Sequence, residues 1–357
     1  MSELESTSEY SGPEQPAFRV REAISEDNAA LLALDRQCVI AAATPVAFDR
    51  SPDFFARSKP YCHWRTYVAE EGSRLIGVGA MALKRVLVGG RLVEAAYLYD
   101  LRVAPEFRRL GVAKAVGNAL RAYTRSLHPA ISYSLVMEGN VASLSFVQGR
   151  GSKPLRSCAL HLIPVEGIPD SKAALGRLDV LGDAEVESVL HLARGAHPDH
   201  DLFPFPDADS IRDRLRRLRG PGLQGVYGWA AGGQLTGCFG LWDYSPVMRM
   251  RLLQAVGDWS WAAGRDVHLV FLTPLGFRDG RVLADVVKMA ATRLQQAPAP
   301  GAARVLALTH DQADPAYAAL DQFRPIRMGL TLFGLELDGA EDLSFGSRPV
   351  YFDPADF

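Results

Sequence analysis

Tyr97-Leu-Tyr-Asp-Leu-Arg-Val-Ala-Pro-Glu-Phe-Arg-Arg-Leu-Gly-Val-Ala113 is the stretch whose reading decides the fold. Its first residues alternate as a strand, and Pro105 ends that strand. A short basic turn follows, and a helix opens near Gly111. The first backbone N–H groups of a helix lack intrahelical acceptors, converge on one spot and sit at the positive end of the helix dipole. Gly111 lets the chain approach an anion closely, small Ala113 leaves room, and Arg108, Arg109 and Lys114 add charge. The local physics predicts a phosphate cradle after a strand.

Outward from this stretch, Phe18 to Ile24 alternates as a strand, and Ser25-Glu-Asp-Asn28 announces the helix Ala29 to Gln37. An aromatic-rich stretch (Phe48, Phe54, Phe55, Tyr61, Trp64) leads into Thr66 to Ala69, Leu75 to Val88 and Glu94 to Val103. The turns Glu71-Gly-Ser73 and Gly89-Gly90 make these an antiparallel meander. Downstream follow a helix (Gly111 to Leu127), a buried strand (Ile131 to Met137), a short helix (Ala142 to Gln148) and a strand (Cys158 to Val165). Gly77-x-Gly79-x-x-Ala82 has dinucleotide-loop spacing, but it lies inside an alternating strand and reads as close-packed strand glycines.

Arg108-x-x-Gly111-x-Ala113, preceded by Leu101-Arg-Val-x-Pro-x-Phe107, resembles motif A of the GCN5-related N-acetyltransferase (GNAT) family. Asn140, Ser143, Phe146 and Gly151 resemble its motif B. The resemblance covers about residues 18–165 and implies an α/β fold of the α+β type: a mixed, mostly antiparallel sheet flanked by helices. It implies acetyl-coenzyme A as cosubstrate, with Arg108, Arg109, Leu110, Gly111, Val112, Ala113 and Lys114 holding the pyrophosphate. Backbone groups of Leu101, Arg102 and Val103 would hold the pantetheine arm, with Asn140, Ser143 and Phe146 completing the coenzyme site.

Acyl transfer to an amine needs a proton acceptor. Period-two alternation sets Tyr97 and Tyr99 on one face and Asp100 on the other, and a bulge in this strand would bring Asp100 toward the acceptor. Asp100 is the first candidate base and Glu138, at the end of the neighbouring strand, the second; Tyr99 is a candidate for the acceptor channel. Many family members have a thiolate-protonating Tyr one residue after the Phe146 position; here it is Val147, with Ser145 or Tyr133 as weak substitutes.

Beyond Gly167 the element order starts again: strand-like Arg177 to Leu181, helices Ala184 to Arg194 and Ser210 to Arg219, strands from Gly225 to Leu253, a strand at His268 to Thr273, a helix (Val282 to Gln295) and further strands to Leu337. In the place of the cradle stands Leu275-Gly-Phe-Arg-Asp-Gly-Arg-Val282, without the motif. The expected organisation is a disordered tail (1–17), a catalytic domain (18–166), a linker (167–176) and a degenerate second copy (177–357), two tandem GNAT-like folds.

Composition bounds the partners. Of 357 residues, 39 are Lys or Arg and 41 Asp or Glu, a balance that argues against a nucleic-acid binder. No apolar run approaches the roughly 20 residues of a membrane span. The polar, acidic first residues lack the blocks of a signal peptide, which points to the cytoplasm. Four scattered cysteines give neither zinc ribbon nor disulfide framework, and no metal is expected. His197-Pro-Asp-His200 reads as a polar loop, Trp259-Ser-Trp261 as packing, and Arg212, Arg214, Arg216, Arg217 and Arg219 as a solvated helix face.

The resemblance therefore implies an N-acyltransferase acting on an amine of a small molecule or peptide, its second copy shaping the acceptor site or a homodimer. Two alternatives stand beside it. One is a pseudoenzyme that binds acetyl-coenzyme A as a sensor; the other is a tandem-fold acyltransferase using another thioester.

Overall fold

The computed structural model describes residues 18–40, 45–171, 176–178, 183–220, 222–231, 234–254, 262–296, 303–337 and 344–357. The expected tail 1–17, Trp259-Ser-Trp261 and most of the strand proposed at Arg177 to Leu181 lie outside the described residues.

The first half runs β1 (Arg19–Glu22), α1 (Asn28–Gln37), β2 (Val46–Asp49), β3 (His63–Glu71), β4 (Arg74–Val88), β5 (Arg91–Val103), α2 (Val112–Ser126), β6 (Ile131–Met137), α3 (Val141–Gln148) and β7 (Lys153–Pro164). The second runs β8 (Gly176–Arg177), α4 (Asp183–Ala196), α5 (Ala208–Arg219), β9 (Leu223–Ala231), β10 (Gln234–Asp243), β11 (Arg249–Leu252), β12 (Asp266–Phe277), α6 (Gly280–Gln295), β13 (Ala303–Asp311), a 3₁₀ helix (Pro315–Phe323) and β14 (Ile326–Glu336). The same α/β order is used twice.

All these strands join one 14-stranded sheet, ordered β1-β3-β4-β5-β6-β14-β7-β13-β12-β10-β9-β8, with β2 and β11 paired to each other off this path. Two pairs are parallel, β5 with β6 and β12 with β13, at corresponding places in the two halves. The other described pairs are antiparallel. At the centre the halves interlock. β14, from the end of the chain, stands between β6 and β7, while β7 pairs with β13 of the second half.

The boundary expected at 166/167 thus divides the sequence but not the sheet. The start of the expected linker is packed as well: Ile168 is buried, and the Gln295 side chain donates to the Val165 and Ile168 carbonyls. The physical reason is the strand exchange, which leaves the end of β7 within the second half's packing.

The glycines of β4 do what a strand glycine does at a close contact. A Cβ at Gly77 would lie 2.6 Å from Val112 Cγ1, and one at Gly79 would lie 2.9 Å from Leu120 Cδ1 and from Val116 Cγ1. They admit α2 onto the sheet and so set where its N-terminus falls. The opposite face of the sheet belongs to a core shared by both halves, with Tyr97, Tyr133, Trp242, Phe271 and Phe352 in it. The chain's final described segment, 344–357, lies in that shared core.

Candidate active site

Positioning begins with β5. Its ladder to β6 comprises Ala95↔Ile131, Ala96↔Ser132 and Tyr97↔Tyr133, and then the two parallel strands part. A register shift opposite Val78 and Ala80, with a left-handed φ of 57° at Asp100, marks a bulge just beyond. The strand resumes to Val103, a 3₁₀ turn covers Pro105–Phe107, and α2 opens on Gly111. Gly111 has φ 84°, a conformation natural to glycine, and no side chain caps the helix. The first intrahelical bond runs from Ala115 N to Gly111 O, so the amides ahead of Ala115 lie before the helical ladder. Arg108, Arg109, Leu110, Gly111 and Lys114 are exposed, Ala113 is half-buried and Val112 is buried against β4. The loop is an open, positively charged helix start beside the mouth between β5 and β6.

Asn140 N-caps α3, its side chain accepting from Ser143 N at 3.2 Å. Phe146 lies against Gly117 of α2, where a Cβ would stand 2.8 Å from its ring, and Arg150 stacks on the same ring. Asn140, Ser143 and Phe146 thereby fix α3 beside α2. α3 buries none of its residues fully, and Val141 is 70 % exposed.

The bulge turns Asp100 to the tyrosine side of the sheet. There it accepts two 2.7 Å bonds from the Arg50 guanidinium and a further bond from Arg57. Asp35 pairs with Arg102 at 2.9 Å and approaches Arg50 at 3.9 Å, which extends the cluster to five buried charges. Burial alone would raise the Asp100 pKa; the charges of Arg50, Arg57 and Arg102 overcome that and hold it well below the usual carboxylate range. A carboxylate held so strongly ionised is a weak proton acceptor. The cluster gathers the first candidate base into an ion-pair lattice with residues no motif announced.

Tyr99 is buried, its hydroxyl 2.7 Å from Ser58 Oγ, and burial raises its pKa. Tyr97 stacks on Tyr99 at 5.0 Å and on Tyr133 at 5.1 Å. Leu98 and Leu101 point the other way, toward α2. Glu138 is the exposed carboxylate of the set: it directly follows β6, its N–H donates to Gly329 O, and its side chain lies over Gly329 of β14. A Cβ on Gly329 would come 2.1 Å from Glu138 Cδ, so a larger residue there would displace the Glu138 carboxyl group. Leu101, Arg102 and Val103 lie past the point of parting; Arg102 is tied to Asp35 and the Cys38 carbonyl. Ser145 is exposed on α3, whereas Tyr133 is buried.

A second buried network, reached from the far end of the chain, was not legible in the motifs. Lys84 donates to Asp353 (2.9 Å) and to both oxygens of Asp356 (2.8 and 2.9 Å). Tyr133 donates to the Asp356 carboxylate, Tyr97 and Arg57 donate to its backbone carbonyl, and Tyr61 donates to the Ala355 carbonyl at 2.6 Å with Asp356 Oδ1 2.9 Å away. Arg214 of α5 pairs with Asp353.

Two expectations change here. The arginine run of α5 is not a uniformly solvated face, because Arg214 turns inward to a buried carboxylate. His197 and His200 are buried rather than in a polar loop: His197 packs against Phe203, Phe277 and Tyr351 and is held by the Ala193 carbonyl and the Tyr317 hydroxyl. Among the described residues no group of three or more His, Cys, Asp or Glu side chains is placed to hold a metal, and no helix is long and apolar enough to cross a membrane.

In the second half the corresponding helix start carries its own acidic cap, beside a cavity of about 470 Å³ lined by Asp279, Gly280, Arg281, Pro315, Ala316 and Ala319. Asp279 caps α6 by accepting from the N–H groups of Arg281 and Val282, which puts a carboxylate where a phosphate would go. A Cβ on Gly280 would lie 2.8 Å from the Ala316 carbonyl.

Two copies of a mixed sheet, each with a parallel pair beside a helix start, define an acyltransferase fold in tandem. Residues 23–151 match the acetyltransferase (GNAT) family. No curated protein matches the chain by sequence. Among solved structures, Saccharomyces cerevisiae N-myristoyltransferase with bound myristoyl-CoA and inhibitors is similar at a TM-score of 0.64 and 11 % identity, over 97 % of this chain and 88 % of that one. A GCN5-related N-acetyltransferase from Anabaena variabilis is similar at 0.54 and 14 % identity, over 89 % and 72 %. At such identities the likeness is one of fold, and it extends through both halves.

Proposed function

We propose that the N-terminal half transfers an acyl group, with acetyl as the first candidate, from a coenzyme A thioester to an amine of a small molecule or peptide. The observation that carries this reading is the open basic start of α2 at the mouth where β5 and β6 part. Arg108, Arg109, Leu110, Gly111, Val112, Ala113 and Lys114 would hold the pyrophosphate, by backbone N–H groups and positive charge. The β5 backbone from Leu101 to Val103 would run beside the pantetheine arm, and the α3 face carried by Asn140, Ser143 and Phe146 would close the groove. The myristoyl-CoA of the yeast structure supports a coenzyme A thioester as the donor class without fixing chain length.

The amine nitrogen attacks the thioester carbonyl carbon, the carbon–sulfur bond breaks, and coenzyme A leaves as thiolate. For a lysine-like amine, deprotonation at pH 7 costs about 4–5 kcal/mol, so a proton acceptor is needed. Glu138 is our choice, as the exposed carboxylate at the end of β6, with Asp100 retained as a positioning anion that fixes the bulge. Tyr99 lines the tyrosine side on which the acceptor would lie.

A second reading, a module that binds the thioester without turnover, draws on two observations: Val147 stands where a thiolate-protonating Tyr is common, and Asp100 is committed to its ion pairs. Acetyl-, butyryl- and myristoyl-coenzyme A, each offered with a panel of primary amines, separate the readings. Turnover with wild type and its loss in Glu138→Gln supports acyl transfer with this base; tight binding with no turnover on any amine supports the module.

A further inference from the structure

The tyrosines at the mouth do not hold themselves in place. Tyr97 and Tyr133 form the last rung of the parallel β5–β6 ladder, so their side chains stand where the strands part. Both hydroxyls end on one residue of the chain's last segment, Asp356: Tyr133 on its carboxylate at 2.7 Å, Tyr97 on its backbone carbonyl. Tyr61 donates to the neighbouring Ala355 carbonyl at 2.6 Å with the other Asp356 carboxylate oxygen 2.9 Å away, and Lys84 pairs with the charge. All four of these partners come from the first half of the chain.

We propose that Asp356 is a positioning residue for the acceptor side of the N-terminal domain, fixing the Tyr97 and Tyr133 hydroxyls where β5 and β6 part so that the second half completes the first half's site. The proposal rests on the acyltransferase reading above.

Three observations carry it. The same segment is already anchored by the burial of Phe352, Ala355 and Phe357 and by Asp353, which pairs with Lys84 and Arg214, so the Asp356 carboxylate is not its only hold. A buried charge is costly unless it is paired and hydrogen-bonded, and here the Tyr133 hydroxyl and the Lys84 ammonium supply the bonds, with Tyr61 alongside. Most telling is the comparison between halves. The corresponding last rung of β12 and β13 is Phe271↔Ala307, with no hydroxyl on it, in the half whose helix start is capped by Asp279. The half with the open cradle has the paired hydroxyls; the half without it has none.

The chemistry follows from donor direction. Tyr133 spends its proton on Asp356, which fixes the ring and leaves its buried oxygen as an acceptor facing the site. Tyr97 donates to the Asp356 carbonyl while accepting from Arg57 at 3.1 Å, which fixes its ring beside that of Tyr133.

The test is a double-mutant cycle of Asp356→Asn and Tyr133→Phe in the full chain, with acetyl-coenzyme A and the amine on which wild type turns over fastest. Asp356→Asn keeps the shape and an acceptor oxygen, and its circular dichroism and thermal melt check the fold. Tyr133→Phe removes one hydroxyl and serves as the second route should the first variant fold poorly. We expect kcat to fall about 10²-fold in each single variant, KM for acetyl-coenzyme A to stay within twofold, and the double variant to fall no further than the worse single. Wild-type kcat in folded Asp356→Asn, or fully additive losses, overturns the proposal while leaving the acyltransferase reading intact. Absence of turnover in wild type on every amine overturns both.

Discussion

Replacing Asp100 by Asn separates a structural anion from a catalytic base. Asp100 sits at φ 57°, a region that Asn tolerates well, so the change leaves the bulge unstrained. It removes one negative charge from between two buried guanidiniums, and it turns an NH₂ group toward donors that now lack an acceptor. Removing one partner of a buried, hydrogen-bonded ion pair costs about 3–5 kcal/mol, a large share of the 5–15 kcal/mol of an ordinary domain. The native pKa is depressed, so the stabilisation is complete above the unfolded value of about 3.9 and is lost only as pH falls through the native one. Urea unfolding at pH 7 and pH 5 is therefore expected to show the same loss of about 3–5 kcal/mol at both, with an unchanged m-value. The pH–rate profile of the folded variant should keep its wild-type limbs. A loss below about 1 kcal/mol together with a vanished acidic limb would refute this reasoning and return Asp100 to the role of base.

Gly77→Ala should lower stability by about 1–3 kcal/mol, because its Cβ would meet Val112 Cγ1 at 2.6 Å, and should weaken acetyl-coenzyme A binding by moving the start of α2; an unchanged thermal midpoint and affinity would contradict this. Burial depresses the pKa of His197 to about 4, aided by neighbouring His200. An imidazole buried neutral contributes its full stability above the unfolded value of about 6.5 and loses it as pH falls toward 4. The urea midpoint should drop over that window, and His197→Gln should flatten the slope; parallel slopes would count against it.

Much of the site's scaffold was legible locally. Alternation found β4, Pro105 found the end of β5, and the expected strand Ile131 to Met137 agrees with β6 at both ends. Gly77 and Gly79 were readable as close-contact glycines because a strand pattern surrounded them. The exchange of β7 and β14 left no local trace, since each strand has the same periodicity whichever neighbour it takes. β7 also begins at Lys153, earlier than expected, because Lys153-Pro154 looks like a turn while the partner strand β14 holds it extended. The charged clusters were invisible for the same reason. Arg50 and Arg57 meet Asp100 across 50 and 43 residues, and Lys84 meets Asp356 across 272, distances at which no spacing rule operates. The bulge at Asp100 was expected; what it delivers the carboxylate to depended on those distant arginines.

The proposed coenzyme site implies one open cradle per chain. Calorimetric titration of the full chain with acetyl-coenzyme A, for wild type, Gly111→Asn and Gly111→Asp, tests it most directly. Both substitutions enter the same left-handed position, where a Cβ meets nothing within 4 Å, so their difference isolates the charge. We expect one site per chain of micromolar affinity, with Gly111→Asp at least about tenfold weaker than Gly111→Asn, because a carboxylate would face the pyrophosphate. Two equivalent sites per chain, or equal affinities for the two variants, would contradict the account.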